Sequence, residues 1–143
     1  MVNTIKPLMQ LFISCFIFMA GNGLVSLLIP IRLSFEQIST DKVGLILSVY
    51  AIGYFIGANY SKKVIHKVGH IRTFALCGSL MSFAILVCAL SMNLWVWAAM
   101  RFLMGFAVAI TIATFDGWLS QTTSKENRGQ VLAFTQVVVF SAI

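Results

Sequence analysis

Residues 7–31 form a run of 25 positions without a single charged side chain. About 20 consecutive apolar residues cross the ~30 Å hydrocarbon core of a bilayer as a helix. Two more uncharged runs follow, residues 43–61 (19 positions) and 73–100 (28 positions). The second of these is too long for one untilted span, and Ser91-Met92-Asn93 supplies a polar break within it. With no water at membrane depth, such runs satisfy their backbone groups as helices. The pattern predicts an all-α membrane protein with helices over 8–31, 43–65, 73–91, 94–119 and 129–143. Polar connections are expected over 32–42, around Gly69 and over 120–127.

Composition supports the same class. Of 143 residues, 59% are hydrophobic and 10% charged, against roughly 25% charged in an ordinary soluble domain. A soluble fold of this size keeps too little volume away from its surface to hide so much apolar area. The net charge of +6 is not laid out as a basic stripe interleaved with aromatics, so nucleic acid is not an expected partner. Cys15, Cys77 and Cys88 lie singly in apolar runs and read as small buried hydrophobes, without the paired spacing of a metal or redox site. No metal or cofactor is expected. The first run is too long for a signal-peptide core, no small-residue cleavage pattern follows it, and it reads as a retained helix. The fifth run has only 15 uncharged residues, about 22 Å of helix, and so reads as a helix cut short. The expectation is an incomplete protein, or one that needs a partner chain.

Loop charge sets an expected orientation. With the N-terminus in the cytoplasm, Lys6, Lys62, Lys63, Lys67, Arg72, Lys125 and Arg128 lie inside, and Arg32 and Lys42 outside. Seven against two follows the positive-inside rule. Trp95 and Trp97, just past the polar break, suit an interfacial aromatic belt. The tenth basic residue, Arg101, falls inside the fourth helix.

An ionisable group within a span costs ~2.5 kcal/mol or more, so Arg101 and Asp116, both in the fourth helix, are candidate functional residues. Fifteen positions separate them, about 22 Å along the axis and about 60° around it. They cannot pair directly and share roughly one face. Arg101 reads either as a group lining a cavity or meeting a coupling carboxylate, or as an arginine snorkelling to the outer interface. Asp116 reads either as a cytoplasmic gate paired with Lys67 or Arg72, or as a solvated interfacial carboxylate. Asn22, between two glycines at mid-depth, faces a cavity or bonds a neighbouring helix. Tyr50 and Tyr54, four apart, present polar edges on one face of the second helix. Gly53 and Gly57 form a small-xxx-small pair suited to close packing. His66 and His70 sit in a basic stretch that would repel a metal cation, and read as solvated. An intramembrane enzyme is disfavoured, because Asp116 is the only acid at depth and neither histidine lies in a span.

The run from Lys62 to Arg72 resembles the loop signature G-x-L-x-D-R-x-G-R-R of the major facilitator superfamily. Lys67 takes its basic position, Gly69 its second glycine and Arg72 a terminal basic position, while Lys62 and His66 replace the first glycine and the aspartate. Arg101-Phe102-Leu103-Met104-Gly105-Phe106-Ala107 is similar to the family's R-x-x-x-G-x-G/A signature in helix 4. Asp116-Gly117-Trp118-Leu119 and Asn127-Arg128-Gly129 also fit the family pattern, and the whole is similar to its bacterial YcaD-like branch. The resemblance implies twelve helices in two six-helix halves that rock around a substrate cavity, and this chain would supply helices 1–4 and part of 5 of the N-terminal bundle. It also implies transport of a small solute across the inner membrane, with Arg101 and Gly105 in the proton-coupling motif. Lys67, Gly69 and Arg72 would then belong to the cytoplasmic latch, whose acid would come from Asp116 in place of His66. The alternative is a non-transporting membrane module or scaffold subunit completed by a partner.

Overall fold

Backbone groups in lipid must be bonded within their own segment, and each long apolar run is a helix in the computed structural model, which describes residues 2–123, 129, 133 and 135–137. The helices are α1 (Val2–Phe35), α2 (Thr40–Val68), α3 (His70–Leu90) and α4 (Leu94–Thr122). All four are long and apolar enough to cross a membrane, and no strand occurs among the described residues. Most of the expected fifth helix lies outside the described residues; Gly129, Ala133, Thr135, Gln136 and Val137 are helical. The chain divides into two compact units, Met1–Ile29 with Phe115–Ile143, and Pro30–Thr114.

The connections are tighter than the charge pattern suggests. α1 does not stop at Ile31 but continues to Phe35, and Pro30 lies within it. It ends in a Schellman turn, with Gln37 at φ 55°. The Gln37 amide donates to Ser34 O at 3.0 Å and the Ile38 amide to Leu33 O at 3.2 Å, closing the last carbonyls. The stretch expected as a basic loop is almost wholly helical. α2 runs on to Val68, α3 begins at His70, and Gly69 alone parts them. Gly69 has φ 88° and ψ 159°, a conformation open essentially to glycine. At the far end of α3, Ser91-Met92-Asn93 makes the expected turn, and Asn93 Oδ1 accepts the Trp95 amide at 2.9 Å, an N-cap for α4.

Within the unit of residues 30–114, α2 and α4 interlock through glycine. A Cβ on Gly53 would meet the Phe102 backbone, one on Gly57 the Phe106 backbone, and one on Gly105 the backbone of Tyr50 and Tyr54. Three glycines on two helices thus let the main chains touch, the close approach that drives helix association in lipid. α3 lays one face on this pair. Thr73, Cys77, Met81, Ala84 and Cys88 are buried, and Cys77 forms a core with Ala107 and Ile110 of α4, flanked by Val64, Leu80 and Phe106. In the other unit, Leu11, Cys15, Met19 and Asn22 are buried along one face of α1, and Phe115 and Leu119 are buried on α4.

Candidate functional site

The glycine contact fixes where Arg101 goes. Gly105 lies one turn beyond Arg101 on α4 and presses the α4 backbone against Tyr50 and Tyr54 of α2. At that separation the guanidinium has no room to leave the helix pair, and Arg101 is only 5% exposed. Its Cζ stands 4.5 Å from the centroid of the Tyr50 ring, a cation–π contact worth ~2 kcal/mol when desolvated. The Cys88 thiol of α3 is also within electrostatic reach. The Arg101 Nε and Nη1 atoms, both buried, find no hydrogen-bond partner among the described residues. Arginine stays protonated in proteins, so this is a buried cation with donors in reserve. It can receive a carboxylate, a phosphate or another anionic oxygen. The snorkelling alternative does not hold, because a snorkelling head group ends in water and this one ends on an aromatic ring.

The remaining candidates are spread more widely. Tyr54 is partly exposed on α2, one turn from Tyr50. Asn22 is buried in the unit containing the start of α1, and its Oδ1 lacks a partner among the described residues. Asp116 is partly buried in that same unit. Lys67, Gly69 and Arg72 are exposed at the α2–α3 junction of the other unit. Gly69 therefore has a backbone duty of its own, whatever Lys67 and Arg72 do.

One cluster was not anticipated. Arg32, near the end of α1, places its Cζ 5.9 Å from the Trp97 ring centroid. Its Nη2 donates to Ala89 O at 3.4 Å, and Met92 Sδ lies 3.9 Å away. Arg32, Glu36, Met92 and Trp97 border a cavity of about 200 Å³. Trp97 is not an interfacial belt residue. It is 2% exposed, and its indole N–H donates to Ser91 O at 2.6 Å, whereas Trp95 is 84% exposed. The two tryptophans lie two positions apart, on opposite sides of α4 (~200°), so one spacing sends them to different surroundings.

Four helices of membrane-crossing length, two of them packed through glycine beside a buried arginine, define a polytopic α-helical membrane protein. The Major Facilitator Superfamily model matches residues 11–142, and the chain belongs to that family. It is similar to an uncharacterised MFS-type transporter of Yersinia enterocolitica, 28% identical over 137 residues. It is also similar to the uncharacterised MFS-type transporter YcaD of Escherichia coli O45:K1, 26% identical over 135 residues. Each alignment covers 94% of this chain and 35% of the relative, so the chain spans about a third of their length. No solved structure matches. The spans and these relatives make it a bacterial membrane protein.

Proposed function

We propose that the chain is the N-terminal part of a secondary active transporter of the inner membrane, its N-terminus in the cytoplasm. The parent moves a small solute by alternating access, coupled to protons. The observation that carries this reading is Arg101, a buried cation with unused donors in the family's helix 4 signature. A charge kept inside a span without a protein counter-ion is costly, and an anionic group that comes and goes would offset that cost at one stage of a cycle. Tyr50 holds the guanidinium in place when that anion is absent, and Asn22 and Tyr54 are the further polar candidates for a cavity wall. At the cytoplasmic end, Asp116 pairs with Lys67 or Arg72 in one conformation and releases it in the other, standing in for the acid that His66 replaces.

The test uses a full-length protein carrying this segment, reconstituted in proteoliposomes with a pH-sensitive dye inside. Arg101→Ala should abolish solute-driven proton movement while the amount of inserted protein stays constant. Proton movement at the wild-type rate in that variant would refute the role given to Arg101. A second reading, a non-transporting module completed by a partner chain, draws on the 35% coverage of the relatives. Crosslinking of the 143-residue chain in native membranes separates the two, since the scaffold reading requires a defined heteromeric product.

A further inference from the structure

The α2–α3 junction is the most one-sided charge in the molecule. Lys62, Lys63, Lys67 and Arg72 are all exposed, and no acidic residue occurs between Asp41 and Asp116. Asp41 lies in the first turn of α2, and Lys63 is 22 positions along that helix, about 33 Å away. The other end of the same unit is balanced, since Arg32 and Lys42 have Glu36 and Asp41 as sequence neighbours. The anion for the four junction cations therefore has to come from outside this unit.

What adjoins the cations identifies the source. On α3, Leu76, Phe83, Leu86 and Leu90 are exposed and lie within about 40° of Arg72 around the helix axis. They form an apolar column that starts at the cation and runs down the helix, about 21 Å from Arg72 to Leu86. The opposite face of α3 is the buried one, with Thr73, Cys77, Ala84 and Cys88. On α2, exposed Lys63 and Lys67 stand roughly 100° and 60° around the axis from the middle of the Gly53–Gly57 face that meets α4, and the Lys63 Nζ sits 5.4 Å from the ring centroid of exposed Tyr60. A cation at headgroup depth above a column of exposed leucine and phenylalanine matches one kind of molecule, a lipid with an anionic head and a long tail. A soluble anion would leave the column unused, and a neutral lipid would leave the cations unpaired.

We propose that the α2–α3 junction binds an anionic phospholipid, its phosphate on Lys63, Lys67 and Arg72 and an acyl chain along the Leu76–Phe83–Leu86 column. This reading shares Lys67 and Arg72 with the proposed gate but needs no transport to be tested. The 143-residue chain in detergent is titrated with phosphatidylglycerol or phosphatidylcholine and the bound lipid counted by native mass spectrometry. Each cation near a charged surface contributes about 1 kcal/mol, or roughly five-fold. Wild type should prefer phosphatidylglycerol by at least about 25-fold, and Arg72→Gln should lower that preference about five-fold. The triple variant K63Q/K67Q/R72Q should lose it, while R32Q/K42Q at the other end should keep it. Leu76→Asn with Phe83→Asn should weaken both lipids alike. Equal binding of the two lipids by wild type, or an equal loss from R32Q/K42Q, would overturn the proposal. The wild-type comparison needs no variant to fold, and Arg72→Gln changes only an exposed side chain.

Discussion

α3 and α4 are both continuous apolar helices, yet the protein uses them in opposite ways. About half of α4 is buried within the protein, against 28% of α3, although α3 is the more apolar of the two. In water the more hydrophobic helix would be the inner one. In lipid that driving force vanishes, because a leucine is as well solvated by acyl chains as by other leucines. Burial then follows small residues and polar groups. α4 brings Gly105, Ala107 and Ala109 to the contact, along with Arg101, Thr111 and Thr114, which need shelter from hydrocarbon. α3 brings Cys77, Met81 and Ala84 to one face and leaves Leu76, Phe83, Leu86 and Leu90 outside.

The comparison breaks most readily at the glycine contact. Gly105→Val should force α4 away from Tyr50 and Tyr54 and cost ~3 kcal/mol or more, seen as a large fall in the thermal unfolding temperature in detergent. A variant that unfolds with wild type would mean that the two backbones do not touch. Arg101→Met tests the buried charge in the opposite sense. Removing a buried cation whose Nε and Nη1 lack hydrogen-bond partners among the described residues should raise stability by ~1–2 kcal/mol, provided the Tyr50 ring packs on the methionine, while transport by a full-length protein is lost. Trp97→Phe removes the bond to Ser91 O and should cost ~1 kcal/mol, whereas Trp95→Phe, two residues away, should change stability by less than ~0.5 kcal/mol. The smallest effect is expected on the outer column of α3. Leu86→Val should leave the unfolding temperature unchanged within ~0.5 kcal/mol, while Cys77→Leu, on the buried face of the same helix, should cost ~1–3 kcal/mol through overpacking.

Much of this was legible in the residues. Charge-free run lengths mark four helices, and Ser91-Met92-Asn93 marks a turn that the structure reproduces. The helices outrun the charge boundaries, because Arg32, Asp41 and Lys67, which the charge pattern places in connections, are helical. Backbone hydrogen bonding carries α1 and α2 past the hydrocarbon boundary, and a charge at that depth reaches water without ending the helix. Arg101 was conspicuous as a charge in a span, but its stacking on Tyr50 depends on a separation between α2 and α4 that only their combined glycines set. The Arg32–Trp97 cluster gave no local signal, since its groups come from positions 32, 89, 92 and 97.

The sequence by itself determined that this is a helical membrane protein of the major facilitator family, roughly where its first four helices fall and which two ionisable side chains are costly. Those are properties of run length, charge and local motif, and bilayer thickness translates them directly into structure. Only the tertiary structure decided which helix is central, which face of α3 meets protein, and why Trp95 and Trp97 part company. The reason is physical. When every face of a helix is apolar, hydrophobicity has no direction in lipid, and the inside is chosen by how closely backbones can approach, a property of pairs of helices that no single run displays.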